Sequence, residues 1–322
     1  MNGIRPATSA ITTRDRIGHF LARWSFRRHR HRVEPGLYVL GDPGEESPVL
    51  VTANYTLSFD ALRSALAGIG AYILVLDTNG INVWCAAGKG TFGTDELVGR
   101  IEATGLAGVV SHRKLILPQL GAAGVSAHQV KDRSGFRVSY GPVRAADLPA
   151  YLAAGAATLE MRRMTFGIKD RIVLIPVELV HVFLPALAAA IALFFAGGWM
   201  GAGAAIAAVL AGVVLFPVLM PFLPTRDFSS KGFILGFAAA IAFAVAFFTR
   251  HHDAGTWKQL AGSLVYLLAM PPVTAFLALN FTGSTPVASR SGVRREIFRY
   301  LPAMAALFGA GVALAVVLAI AS

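Results

Sequence analysis

The stretch 172–322 constrains this chain most. It carries only 8 Lys/Arg and 4 Asp/Glu, set in long runs of Ala, Leu, Val, Ile, Phe and Gly. A helix crossing a bilayer core of about 30 Å needs about 20 apolar residues. Five stretches meet that need, near 173–197, 201–221, 232–249, 259–281 and 301–320. The expectation for 172–322 is an all-α membrane domain of five transmembrane helices.

Five spans put the termini on opposite sides, and Lys/Arg in short loops sets the orientation. Arg162, Arg163, Lys169 and Arg171 precede the first span. Arg226 and Lys231 lie in the loop near 222–231, and Arg290, Arg294, Arg295 and Arg299 in the loop near 282–300. All fall on the side of the N-terminal half, against only Arg250 and Lys258 opposite; 198–200 and 321–322 carry none. The bias predicts a multi-pass protein of the inner (cytoplasmic) membrane, with a cytoplasmic N-terminal domain and the C-terminus outside. No signal peptide is expected, since the first apolar run begins after residue 170.

The first half divides into a basic arm (1–34), an α/β domain (35–155) and a linker (156–171). The arm holds eight arginines and two acids, with Arg27, Arg28, Arg30 and Arg32 interleaved by His29 and His31. Phe20, Leu21, Trp24 and Phe26 lie beside them. With a membrane domain on the same chain, an amphipathic segment on anionic headgroups is favoured over nucleic-acid binding.

In 35–155, Leu37–Leu40, Val49–Ala53 and Ala71–Leu76 read as buried strands, with Gly108–Val110 and Phe136–Tyr140 as further candidates. Helices are expected at Phe59–Ala67 behind Ser58, at Asp95–Ala103 behind Thr94, and at Arg144–Ala154. Ile81–Trp84 reads as a strand leading into a glycine-rich turn. Alternating strands and helices predict a wound, mostly parallel sheet. Ligands in such folds bind outside the carboxyl ends of the strands.

Gly88-Lys89-Gly90-Thr91-Phe92-Gly93 matches G-x-G-x-x-G, but no carboxylate stands among Val109 to Lys114, where a dinucleotide site needs one. A phosphate loop fails too, because Val83 and Gly90 occupy its required Gly and Ser/Thr positions. Cys85 is the only cysteine, which excludes an intrachain disulfide and a four-thiolate cluster built from this chain. A lone cysteine is commonly a small buried hydrophobe. Lys89 and a nearby helix start would instead lower its pKa and make it functional. The residues alone leave both readings open. Glu178 and His181 share a face of the first span, and a packing or interfacial role is favoured there. Asn280 to Pro286 forms a polar cluster after the fourth span that either caps the helix or faces the soluble domain.

Asn82-Val83-Trp84-Cys85-Ala86-Ala87-Gly88-Lys89 resembles the signature of the mercury-methylating corrinoid proteins, the HgcA family. The similarity extends to Val51-Thr52-Ala53-Asn54-Tyr55, to Arg32 through Tyr38, and to Gly90-Thr91-Phe92-Gly93-Thr94. It includes the layout of a corrinoid domain followed by five membrane helices. The wider relative is the corrinoid domain of the corrinoid iron–sulfur protein of the acetyl-CoA pathway. The resemblance implies a cobalt corrinoid of the cobalamin type as cofactor. It implies Cys85, on a short cap helix, as lower axial ligand to cobalt. The cofactor-binding set it implies is Thr52, Ala53, Asn54, Asn82, Val83, Trp84, Cys85, Ala86, Ala87, Gly88, Lys89 and Gly90.

The activity implied is methyl transfer from methyl-cobalt to Hg(II), giving methylmercury. An anionic sulfur below the metal would push electron density toward the methyl group, as axial thiolate does in haem. The implied partners are a ferredoxin-like iron–sulfur protein (HgcB-type) as reductant and Hg(II) donor, methyltetrahydrofolate through a methyltransferase as methyl source, and the lipid bilayer; nucleic acid is not among them. Two alternatives stand beside this reading: a corrinoid methyl carrier with a non-mercury acceptor, and a membrane transporter or sensor with a small cytosolic domain.

Overall fold

The computed structural model describes residues 3–321; Met1, Asn2 and Ser322, in the arm and the C-terminal tail, lie outside the described residues. The chain forms two compact units, Met1–Thr165 and Phe166–Ser322.

The first unit is built on β1 (Arg5–Ala7), β2 (Gly36–Leu40), β3 (Val49–Ala53), β4 (Ala71–Leu76), β5 (Lys114–Leu117) and β6 (Arg137–Tyr140). They form one sheet in the order β1-β2-β4-β3-β5-β6. Every pairing is parallel except β2 with β4. Strand residues alternate between two cores. Val49, Val51, Leu74 and Leu76 face one, while Leu50, Ile73 and Val75 face the other. Both faces are covered, which is why the central strands are uninterrupted apolar runs.

The helices of this unit are α1 (Thr13–Trp24), α2 (Thr56–Ala65), α3 (Val83–Lys89), α4 (Thr94–Ala103), α5 (Ala127–Ser134), α6 (Leu148–Ala154) and α7 (Leu159–Arg162). Several boundaries depart from the sequence-based expectation. The strand expected at Ile81–Trp84 is instead the start of α3, because the Asn82 side chain accepts the Cys85 N–H at 2.9 Å and caps a helix there. Helix α2 begins at Thr56 rather than Phe59, since the His31 carbonyl accepts the Thr56 N–H at 3.1 Å. Thr94 does not cap α4; its hydroxyl accepts the Ser126 N–H at 2.9 Å, and Gly93 is the cap. Gly108–Val110 is no strand but the end of a 3-10 turn, and the strand lies four residues further on as β5. Arg144–Ala154 starts as a 3-10 turn over Ala145–Asp147, with Pro149 in the first turn of α6.

The arm is part of this unit. Strand β1 extends the sheet, and Thr12 with Asp15 closes a capping box on α1. Buried Arg63 holds the arm through the Thr8 and Ala10 carbonyls, at 2.6 and 2.7 Å, and through Asp15 at 2.9 Å. His19 meets Asp60 at 2.6 Å.

The second unit is helical: α8 (Ile168–Ile172), α9 (Ile175–Leu210), a π-helical segment (Ala211–Leu215), α10 (Phe216–Leu219), α11 (Phe228–Arg250), α12 (Thr256–Asn280) and α13 (Arg290–Ile320). Among the described residues four stretches are long and apolar enough to cross a membrane: Ile168–Phe222, Phe228–Arg250, Thr256–Gly283 and Arg290–Ile320. The count is four rather than the expected five because the first two expected spans run on as one 55-residue stretch. That stretch is not straight. The backbone leaves helical geometry at Gly197 and at Gly198, whose φ is +62°. A Cβ on Gly201 would stand 2.5 Å from the Leu193 carbonyl oxygen, although eight residues of continuous helix span about 12 Å. The rings of Phe194 and Trp199 meet edge-on at 4.7 Å. The chain therefore doubles back at the Gly197-Gly198 pair.

Small residues set the closest packing. Gly232 and Gly236 of α11, a G-x-x-x-G pair, lie against Ala275 and Pro271 of α12 so tightly that either Cβ would fall 2.6 Å from a backbone atom. Buried Glu296 of α13 accepts the N–H groups of Phe228 and Ser229, at 3.1 and 2.9 Å, satisfying donors at the start of α11.

Candidate functional site

Four parallel strands, β4-β3-β5-β6, place the reversal of strand order between β3 and β5. In wound sheets the crevice at such a switch point is the ligand site. Helix α3 follows β4 yet packs against both β3 and the 3-10 turn Gln119–Gly121 after β5. It thus lies over the switch point.

The sequence of α3 explains its seating. Val83, Ala86 and Ala87 share the inward face and are buried, whereas Trp84 and Cys85 are half-buried and Gly88 and Lys89 exposed. The inward residues are small, so the helix sits close to its floor. A Cβ on Gly124 would come within 2.9 Å of the Ala87 Cα and would overlap the Phe92 carbonyl oxygen. Gly90 ends the helix with φ +87°, a conformation that favours glycine. The glycine-rich segment therefore ends the cysteine helix at Gly90 and, with Gly93 as cap, opens α4.

Burial pushes the Cys85 thiol pKa up; Lys89, Arg28 and the Asn82 side chain oppose that shift without cancelling it. Of the two influences the sequence left open, partial burial outweighs the nearby cations.

Thr52, Ala53 and Asn54 lie beneath the site, each no more than 3% exposed. Asn54 organises the loop after β4. Its Oδ1 accepts the N–H groups of Thr78 and Gly80, at 3.1 and 3.0 Å. Its amide donates to Asp77 at 3.1 Å. Asn54 thereby helps to fix the turn ahead of α3, together with the Thr78 hydroxyl, which donates to the Ile81 carbonyl at 2.7 Å, and Asn79 sits there at φ +56°. Asn54 is a positioning residue, its polar atoms committed within the protein.

Sequence reasoning left the arm out of the site. The structure ties residues 28–33 to the segment after β3. The Val33 N–H donates to the Asn54 carbonyl at 2.9 Å, and Arg28 Nε donates to the Tyr55 hydroxyl at 2.9 Å. The signal in the sequence is the Arg32 to Tyr38 run, which the family resemblance already included. Two buried polar atoms nearby, Thr91 Oγ1 and Gln119 Oε1, have no hydrogen-bond partner among the described residues. His112 and His128 are bound elsewhere, to the Ser47 carbonyl and the Ser126 hydroxyl. Among the described residues no group of three or more His, Cys, Asp or Glu could hold a metal ion.

In the second unit, Glu178 accepts a hydrogen bond from the Ser284 hydroxyl at 2.5 Å and so ties α9 to the segment after α12. The polar cluster at 280–286 thus supplies a packing partner for Glu178. Glu178, His181, Asn280 and Ser284 lie along a cavity of about 790 Å³ whose other walls are apolar, among them Pro185, Phe276 and Met304.

Residues 26–152 match the family described as CdhD, CO dehydrogenase/acetyl-CoA synthase delta subunit. The acetyl-CoA decarbonylase/synthase complex subunit gamma of Methanopyrus kandleri is 39% identical over 127 residues, covering 39% of this chain and 27% of the relative. That of Archaeoglobus fulgidus is 34% identical over 123 residues, covering 38% and 26%. The corrinoid/iron-sulfur protein large subunit of Moorella thermoacetica is 28% identical over 161 residues, covering 47% and 36%. The chain spans about a quarter of the length of the first two relatives. The first unit is therefore related to corrinoid-protein subunits of the acetyl-CoA pathway.

Proposed function

We propose that the first unit binds a cobalt corrinoid and that the protein transfers a methyl group to Hg(II), forming methylmercury. The observation that carries the reading is the placement of Cys85, the chain's one thiol, half-buried on a short helix over the switch point of the sheet. The relatedness to corrinoid-protein subunits supports the cofactor, and the octet around Cys85 supports mercury as acceptor.

The residues fit the cofactor. They offer one thiolate donor, a helix whose remaining residues include two alanines and a glycine, and two buried polar atoms without partners beside it. When bound, the corrinoid supplies a methyl group on cobalt. Cys85 would hold the cobalt as a thiolate, losing its proton on binding. Asn82 fixes the thiol-bearing turn, and Asn54 fixes the loop that leads into it. Lys89 and Arg28 favour the anionic sulfur over the neutral thiol.

Hg(II) prefers soft thiolates. With Cys85 committed to cobalt, mercury must arrive on another molecule's sulfur. A ferredoxin-like iron–sulfur protein of the HgcB type is the proposed carrier and reductant, with methyltetrahydrofolate, through a methyltransferase, as methyl source. The domain division of arm, corrinoid domain, linker and five-pass membrane domain stands as part of the proposal. So do placement in the cytoplasmic membrane and contact of α1 with lipid. Ile17, Phe20, Leu21 and Trp24 form one apolar stripe on α1, 44–59% exposed, bordered by Arg14, Arg16 and Arg23.

The test is cobalt content and visible spectrum of anaerobically purified protein, wild type beside Cys85→Ala, followed by a methylmercury assay with the reduced iron–sulfur partner. Stoichiometric cobalt with a spectrum that changes in the variant is expected. No cobalt after reconstitution would overturn the corrinoid reading. The relatives' place in the acetyl-CoA pathway favours one second reading, a methyl carrier with another acceptor. Cobalt without methylmercury would select it.

A further inference from the structure

Residues 28–33 lie as a strap across the C-terminal ends of β3 and β4. The Thr56 N–H donates to the His31 carbonyl at 3.1 Å, and the Val33 N–H to the Asn54 carbonyl at 2.9 Å. The Arg28 guanidinium lies 5.2 Å from the centre of the Tyr55 ring. A Cβ on residue 80 would overlap the His29 carbonyl oxygen, so the strap can cross only because Gly80 has none. The strap therefore borders the same strand ends over which α3 places Cys85.

Its charge is unbalanced. Arg27, Arg28, Arg30 and Arg32 form no ion pair among the described residues, and Arg27, Arg30 and Arg32 are exposed. Four guanidinium groups within six residues repel one another, and an anion on this rim would offset that cost. Arginine presents a planar fork suited to phosphate oxygens.

We propose that the strap is a subsite for the phosphate of the corrinoid's nucleotide tail. The inference rests on the reading of Cys85 as an axial ligand. In a cobalamin-type corrinoid the base at the end of a phosphodiester tail is the other group able to occupy the lower face of cobalt. A protein that fills that position with its own thiolate displaces the base, and the anionic tail needs a cationic resting place on the protein. The strap supplies one on the rim of the cysteine site. Bilayer headgroups carry the same phosphodiester chemistry, but the strap is pinned to the ends of β3 and β4, whereas the arginines of α1 flank its apolar stripe.

The experiment compares binding of cobinamide and cobinamide phosphate, which share the ring and differ by one phosphate, to the full chain in nanodiscs. The variants are R27A/R30A/R32A and Arg28→Gln. Wild type is expected to prefer the phosphate form by about 10-fold or more, the scale of charge-assisted hydrogen bonds, with the preference shrinking as salt rises. Both variants should lose part or all of that preference, and R27A/R30A/R32A, whose arginines have no part in holding Cys85, should still bind cobinamide, which shows that it is folded. Equal affinities in wild type, or a preference untouched in both variants, would overturn the subsite. So would loss of binding to phosphatidylglycerol vesicles in the triple variant with the corrinoid preference intact. Failure to bind either corrinoid would overturn the cofactor reading and the subsite with it.

Discussion

At the scale of single residues, Cys85 carries a pH prediction with a definite sign. Burial raises its pKa against the pull of Lys89, Arg28 and Asn82. Alkylation by a thiol reagent such as bromobimane should therefore rise with pH through a midpoint above that of an ordinary thiol, about 8.5. Lys89→Gln removes one of the opposing influences and should move the midpoint higher. The chain's one cysteine makes the rate assignable without background; a wild-type midpoint below about 8.5 would contradict the burial argument. Asn54 carries a second prediction. Asn54→Ala strands the buried N–H groups of Thr78 and Gly80 and should lower unfolding stability by about 2–4 kcal/mol. Asn54→Asp keeps the acceptor but replaces the donor to Asp77 with a second carboxylate, so it should not rescue the loss above about pH 5. Denaturant melts of the three proteins check both statements. The sequence marks Asn54 only through resemblance, because no local pattern says that a polar residue at a strand end will point inward.

At the scale of elements, what could be read from the sequence follows from how many independent signals each segment carried. Strands β2, β3 and β4 are legible because both of their faces are buried, leaving apolar runs bounded by Gly, Pro and Asp. Strand β5 is not, since it opens on exposed Lys114 behind His112 and Arg113 and buries only alternate residues. Helix α3 is hidden from periodicity by its length of seven residues, and Ile81-Asn82-Val83-Trp84 satisfies a strand pattern equally well. What decides it is one side-chain bond from Asn82 and a tight floor. That floor gives the third prediction. Gly124→Ala must push the Phe92 carbonyl or the Ala87 backbone away, since neither is the flexible tip of a side chain. The variant should lose about 2 kcal/mol or more of stability through overpacking. It should also retain less cobalt than wild type on anaerobic gel filtration. Full retention with unchanged melting would mean that α3 tolerates displacement and that its seating does not set the site.

At the scale of the whole chain, the helical second unit turns on the Gly197-Gly198 reversal. A straight helix over Ile168–Phe222 would be about 80 Å long, far beyond a bilayer core of about 30 Å. Doubling back resolves the excess, and each arm then has the length of one pass. If both arms cross, residues near 198–200, 250–258 and 321 share one side, while the loops near 222–231 and 282–300 share the other with the basic residues before Ile175. Charge agrees, as Arg290, Arg294, Arg295 and Arg299 would stand on the side of Lys169 and Arg171. Single cysteines placed at Trp199, Arg226, Asp253 and Val287, each in a Cys85→Ala background, make the arrangement measurable with a membrane-impermeant maleimide on intact cells. Trp199→Cys and Asp253→Cys should label from outside, and Arg226→Cys and Val287→Cys only after lysis. The Trp199 position discriminates most sharply. If the hairpin dips into the bilayer and returns without crossing, Trp199→Cys stays unlabelled by the impermeant reagent on intact cells but reacts with a permeant one. The hairpin would then begin and end on the same side in either case, so Arg226, Asp253 and Val287 would label as before. Only the number of passes would change, because the two arms would no longer count as crossings.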